Sequence, residues 1–132
     1  MLNTILFVDD DPITLMLCKK VISKAAFSDQ IITAKNGEEA LFLFENLLLN
    51  PTKPLPELIF LDLNMPVMGG WEFLELFSKP IYKQFHDIKV IVLSSTIDPE
   101  DLEKTKEFPM VMDFLPKPIS LTMLSKVAEN LS

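Results

Sequence analysis

Asp9 and Asp10 close one apolar run of the chain, Asp62 closes another, and Ser94 and Lys117 stand just past two more. If folding gathers them, the three carboxylates repel one another by about 4 kcal/mol per pair at ~4 Å and an effective dielectric of about 20. Such a cluster needs a cation. Oxygen donors suit Mg²⁺, or Mn²⁺, which keeps several waters and takes one or two carboxylates plus phosphate oxygens. Lys117 adds a point charge that can meet a phosphoryl oxygen and, before that, pair with Asp62 and hold it ionised. Phosphoryl transfer asks a protein mainly for positioning and charge neutralisation. A carboxylate nucleophile, a cation, a lysine and the Ser94 hydroxyl supply those parts, and no separate general base is needed. The product on Asp62 would be an acyl phosphate.

These residues need a scaffold that brings strand ends together, and the hydrophobic pattern supplies one. Short apolar runs alternate with longer helical periodicities, the signature of βαβ units and of a parallel sheet covered on both faces. Strands are expected at Thr4 to Val8, Gln30 to Ala34, Leu58 to Leu61, Val90 to Leu93 and Asp113 to Leu115. The first helix follows Asp9-Asp10-Asp11-Pro12, with Ile13, Leu17 and Val21 as its buried stripe. The second follows Asn36-Gly37 and buries Ala40, Leu41, Phe44, Leu47 and Leu48, and the run Leu47-Leu48-Leu49 is read as buried. Pro51, Pro54 and Pro56 mark a rigid loop. Gly69-Gly70 opens a third helix near Trp71 that frays by Lys79-Pro80. Asp98-Pro99 caps a fourth, and a fifth starts near Ser120 with Leu121, Leu124, Val127, Ala128 and Leu131 facing the core. The fold class is therefore α/β, a doubly wound five-stranded parallel sheet with five helices. In strand order 2-1-3-4-5 all the polar strand-end residues share the crevice at the carboxyl edge.

Composition narrows the alternatives. A length of 132 residues with 48% apolar side chains suits a single domain over 1–132, with nothing set aside for an output domain. Cys18 is the sole cysteine and His86 the sole histidine, which excludes a disulfide framework and a Cys/His zinc cage. The net charge is -7 and every base is lysine, so direct nucleic-acid binding is not expected. No apolar run approaches the roughly 20 residues of a membrane span, no leader is legible, and the expected location is the cytoplasm.

Ile5-Leu-Phe-Val-Asp-Asp-Asp-Pro12, Leu61-Asp-Leu-Asn-Met-Pro66 with Gly69-Gly70, Val90-Ile-Val-Leu-Ser94 and Lys117-Pro118 together resemble the receiver domains of bacterial two-component response regulators. The resemblance covers essentially the whole chain. It implies the flavodoxin-like receiver fold and a phosphoacceptor switch that catalyses only its own phosphorylation and dephosphorylation and is otherwise no enzyme. It also implies roles: Asp62 as phosphoacceptor, Asp10 as a direct metal ligand with Asp62 and the Asn64 backbone carbonyl, Asp9 as a metal ligand or water-mediated partner, Ser94 and Lys117 as phosphoryl-binding groups, the latter before a cis Pro118. Ser94 and Phe114 would form the switch pair, and Asp11 would only cap a helix. The donor would be a histidine kinase or histidine phosphotransfer protein. The output would be a protein partner on the face of helix 4, strand 5 and helix 5, with homodimerisation left open. The chain departs from the family between helix 4 and strand 5, where Glu107 to Met112 replaces a common Gly-Ala pair.

Each piece also has a plainer reading. An Asp-Asp pair after a strand is commonly an N-cap, Asn64-Met65-Pro66 a simple turn, His86 a surface residue, Cys18 a core thiol, and Trp71 and the methionines packing, with Met65 and Met68 shielding the crevice. Two other functions compete. A magnesium-dependent phosphatase of the haloacid-dehalogenase type needs an aspartate where Asn64 stands. A binding module that keeps the fold alone, or a flavin-binding relative, would lack the filled chemical positions or would have a phosphate loop after strand 1.

Overall fold

The computed structural model describes residues 2–50, 54–96 and 98–131. Five parallel strands, β1 (Leu2–Val8), β2 (Ser28–Ala34), β3 (Leu58–Asp62), β4 (Lys89–Ser94) and β5 (Val111–Pro116), alternate with α1 (Pro12–Lys24), α2 (Gly37–Leu49), α3 (Gly70–Phe77), α4 (Pro99–Thr105) and α5 (Leu121–Leu131). The strand order is β2-β1-β3-β4-β5, the order expected for the receiver fold. The expected strands differ only by a few residues at their ends, where fraying makes boundaries soft.

The central strands are apolar throughout because helices cover both faces. On one face α2 and α3 bury Phe44, Phe73 and Phe77 over Leu6, Val8, Ile59, Leu61 and Val92. On the other, α1 and α5 place Cys18, Ile22, Leu124 and Val127 over Ile5, Phe7, Phe60 and Leu93. Phe44 lies 4.6 Å from Phe77 and 4.9 Å from Phe85, centroid to centroid. Burying each such ring contributes about 1.5–3 kcal/mol. Phe85 belongs to a short 3-10 helix, Pro80–Phe85, which follows the break at Lys79-Pro80. Pro80 ends the α-helical ladder but leads into this tighter turn, which the Tyr82 hydroxyl pins to α2 by donating to Glu45 at 3.2 Å.

Several expected faces are rotated. In α1 the residues against the sheet are Cys18 and Ile22 with Leu15 and Val21 beside them, while Ile13 and Leu17 point to solvent. The spacing of Ile13, Leu17 and Val21 is helical, but so is that of its neighbours, and periodicity alone could not choose between two apolar stripes. In α5, Leu124 and Val127 are buried but Leu121 and Ala128 are exposed. Leu47 is buried and Leu48 half-buried, whereas Leu49 is 84% exposed at the end of α2. His86 is half-buried rather than free on the surface, with Nε2 2.7 Å from the Phe77 carbonyl. Pro51 lies outside the described residues. Among those described, no helix is long and apolar enough to cross a membrane.

Segment 107–112 is ordered by its own apolar residues. Phe108 and Met110 are buried, Phe108 stacks on Trp71 at 5.9 Å, and the β4–β5 register shifts between Val90 and Ile91 to accommodate the entry. Trp71 donates its indole N–H to Asp101 at 3.2 Å, and the Lys104 ammonium sits 5.0 Å from its ring. These contacts tie α3 to α4, which buries no residue of its own.

Candidate functional site

Asp9 lies one residue beyond β1 and is held from two sides. Its N–H donates to the Ala34 carbonyl of β2 at 3.0 Å, and its Oδ1 accepts from the Asp11 N–H at 2.9 Å. Asp10, next in the chain, is exposed. Asp11 turns outward as the N-cap of α1, accepting from the Ile13 N–H at 2.9 Å and the Thr14 hydroxyl at 3.0 Å. Those donations hold its carboxyl below the ordinary carboxylate range, which matches a capping role.

Asp62 ends β3 and is 3% exposed. Behind it, α3 begins against the strand. A Cβ at Gly70 would stand 2.6 Å from the Asp62 carbonyl oxygen, so only glycine allows the Gly70 N–H to reach the Leu63 carbonyl at 3.0 Å. The Gly69-Gly70 pair, readable in sequence as a turn, is therefore a close approach that brings the helix start to the back of the site. The loop before it is strained. Val67, a β-branched residue, takes φ 68° inside a tight turn closed by Met68 N–H donating to the Pro66 carbonyl at 2.9 Å.

Lys117 reaches into the same crevice from the end of β5, anchored where its N–H meets the Ser94 carbonyl at 2.9 Å. The Lys117–Pro118 bond is cis. The Lys117 ammonium lies 3.0 Å from Asp9 Oδ2 and 3.3 Å from Asp62 Oδ1, bridging the two buried carboxylates. Burial pulls its pKa down, but the hydrogen bond it donates to Asp9 and the charges of both aspartates outweigh that and hold it above the usual lysine value. Lys117 pairs with Asp62 as expected but does not hold it more readily ionised. Burial, and then the Asp9 charge, raise its pKa despite Lys117. The lysine is shared, and its nearer partner is Asp9.

One oxygen from each of Asp9, Asp10 and Asp62 falls within 4.8 Å of the others. This donor set is all carboxylate, and two of its members are buried with one lysine between them. Those are oxygen ligands fit for a hard divalent cation. The structure thus gathers Asp9, Asp10, Asp62 and Lys117 as the spacing implied. Ser94 is 3% exposed at the end of β4, but its hydroxyl is engaged elsewhere, donating to the Thr96 carbonyl at 2.6 Å and accepting from the Thr96 N–H at 3.3 Å. That engagement was not legible in the sequence. The Asn64 N–H makes a long approach of 3.5 Å to Asp62 Oδ1. Phe114 is buried in β5, one strand over from Val92.

A family model described as the response regulator receiver domain matches residues 5–129. Among curated proteins, the chain is similar to protein-glutamate methylesterase/protein-glutamine glutaminase of Archaeoglobus fulgidus, 36% identical over 130 residues, covering 96% of this chain and 33% of that protein. A second of that name from Methanococcoides burtonii is 30% identical over 127 residues, covering 96% of this chain and 33% of its own length. The chain thus spans about a third of these relatives, at 33% of each. Among solved structures, a two component response regulator from Cytophaga hutchinsonii superposes with a TM-score of 0.88 at 26% identity, over 98% of this chain and 96% of the other.

Proposed function

The chain belongs to the response regulator receiver domain family, and from that premise we propose that Asp62 is the residue on which it accepts a phosphoryl group. Receiver domains are phosphoacceptor switches of two-component systems. They take their phosphoryl group from histidine kinases or phosphotransfer proteins. The observation that carries the assignment is the shared lysine: Lys117 lies 3.0 Å from Asp9 and 3.3 Å from Asp62, both at strand ends in one crevice. A carboxylate oxygen of Asp62 attacks phosphorus, the P–O bond forms as the P–N bond of a phosphohistidine breaks, and the leaving imidazole takes a proton from solvent.

Asp9, Asp10 and Asp62, with the Asn64 backbone carbonyl, would hold a divalent cation, Mg²⁺ or Mn²⁺. When bound, it neutralises charge on the phosphoryl oxygens. Lys117 is free to exchange a carboxylate partner for a phosphoryl oxygen. Ser94 has to release the Thr96 carbonyl before its hydroxyl can donate to the new group. The added charge of about -1.5 to -2 draws that hydroxyl inward, and Phe114 with the α4, β5 and α5 face follows. That face would receive the downstream protein.

Asp62 is a phosphoacceptor and not a turnover site, because Asn64 stands where a haloacid-dehalogenase phosphatase needs its second aspartate. The test is incubation with acetyl phosphate with and without Mg²⁺, then borohydride reduction and peptide mapping. Reduction of an aspartyl phosphate to homoserine at position 62, only with the metal, is the expected result. Homoserine elsewhere, or labelling that persists in chelator, contradicts the assignment.

A further inference from the structure

Helix α2 leaves part of the sheet beneath it uncovered. A groove of about 680 Å³ runs between the edge strand β2 and the outer flank of α2, with Ile32, Ala34, Leu41, Phe42, Leu43 and Met68 as its apolar lining. A second hollow of about 240 Å³ shares Ile32 and Leu43 and extends it to Thr4, Gln30 and Pro54. Residues 30, 32 and 34 of β2 alternate onto one face of the sheet, so the two hollows together follow the strand from Gln30 to Ala34. Phe42 is 63% exposed, and Leu49, two turns further along the same flank of α2, is 84% exposed. Apolar surface continuous with a groove and rimmed by polar residues marks an interaction site.

The rim fixes the chemistry of the partner. From Ser28 to Asn50 the chain has the acids Asp29, Glu38, Glu39 and Glu45 and a single base, Lys35. Glu38, Glu39 and Glu45 line the groove. Glu39 is steadied by the Lys35 backbone N–H at 3.0 Å and Glu45 by the Tyr82 hydroxyl at 3.2 Å, so two of the carboxylates are held in place along the wall. A second copy of this chain, at a net charge of -7, would bring the same acids to the same place.

We propose that this groove docks an amphipathic helix of a partner protein, with lysine or arginine on one face, aliphatic side chains on the other, and Phe42 as the anchor it covers. The stretch from Gln30 to Ala34 that lines the groove is about 17 Å long at ~3.3 Å per residue, which matches a helix of roughly 11 residues at ~1.5 Å each. A helix beside α2, at the usual separation of about 8–10 Å, completes the layer that α2 and α3 begin. The groove is separate from the aspartate crevice but touches its loop: Met68, on the groove wall, accepts the Gly37 N–H at 2.9 Å and follows Asp62 in the β3–α3 connection.

The probe is a capped 14-residue leucine/lysine peptide of helical periodicity, titrated against the full chain and followed by amide NMR, with a leucine/glutamate peptide of the same pattern as control. The cationic peptide is expected to shift Ile32, Ala34, Phe42, Leu43 and Met68. The exposed substitutions Phe42→Ser and Glu38→Lys should each weaken it by about tenfold, the effect of removing an anchor or reversing a facing charge. The glutamate peptide should leave these amides unmoved. The proposal is overturned if neither peptide binds, if both bind alike, if shifts cluster at Asp9, Asp10 and Asp62, or if Phe42→Ser binds as well as wild type. It is overturned equally if sedimentation shows self-association that Phe42→Ser abolishes, since the groove would then be covered by a second copy.

Discussion

Replacing Asp62 by asparagine is expected to stabilise the metal-free fold by about 2 kcal/mol, and the sign follows from the charges around it. Oxygens of Asp9 and Asp62 lie within 4.8 Å, a repulsion of about 3.5 kcal/mol at an effective dielectric of ~20. Exposed Asp10 adds about 1 kcal/mol through water. Lys117, 3.3 Å away, offsets them with about 5 kcal/mol by the same measure. The charges nearly cancel, and the burial of a carboxylate only 3% exposed decides the outcome. That burial costs several kcal/mol for a charge and less for an amide. Asparagine keeps the shape, and Lys117 keeps Asp9. In urea with chelator at neutral pH the midpoint should rise by about 1 M for an m-value of ~2 kcal/mol/M. A raised carboxylate pKa in the fold means that stability is present below the ordinary carboxylate range and lost as pH rises through the folded value. The advantage of asparagine is therefore greatest near neutrality and shrinks on acidification. Mg²⁺ should stabilise the wild type, by about 2.7 kcal/mol at a hundredfold excess over Kd, and the variant by less. A lower midpoint for Asp62→Asn in chelator would refute the reasoning, because ionised Asp62 would then be a net stabiliser of the metal-free molecule.

Phe77→Ala removes the ring shared by Phe44, Phe73 and Phe85 and should cost about 3–5 kcal/mol in urea unfolding. Burial pushes the Cys18 thiol up to about 11, so a thiol reagent at mildly alkaline pH should react slowly with the native chain and fast in denaturant. The same shift contributes stability below the ordinary thiol value of about 9 that is lost as pH climbs toward 11, and alkaline unfolding of Cys18→Ala should lack that component. Val67→Asn relieves a β-branched side chain at φ 68° and should raise stability by about 1 kcal/mol; an unchanged urea midpoint would show that the loop carries no strain.

The parallel strands and the polar residues at their ends, Asp9, Asp10, Asp62 and Lys117, were legible because buried strands ending at polar residues are a strong signal, while the strand order that gathers them came with the fold resemblance. Side-chain partnerships were less so. Nothing in the types of Ser94 and Thr96 reveals that the hydroxyl would close on its own loop, since a two-residue contact depends on backbone angles rather than composition. Lys117 is expected to pair with Asp62, and it does at 3.3 Å, but the Asp9 carboxylate beside β1 comes closer, at 3.0 Å, a sharing that only the fold reveals. The rotated face of α1 has a similar origin: Ile13, Met16 and Leu17 offer one apolar stripe, Leu15, Cys18 and Ile22 another, and only docking on the sheet selects between them. The short 3-10 helix escaped notice because Lys79-Pro80 reads as a stop, which it is for α3 but not for the turn after it.

The central claim, that Asp62 carries the phosphoryl group in a metal-dependent reaction, is tested most directly by intact mass. Wild type and Asp62→Asn, incubated side by side with acetyl phosphate and Mg²⁺, should differ by one phosphoryl adduct, present on the wild type and lost in chelator. An adduct of equal yield on Asp62→Asn, or none on wild type with the metal present, would contradict the account.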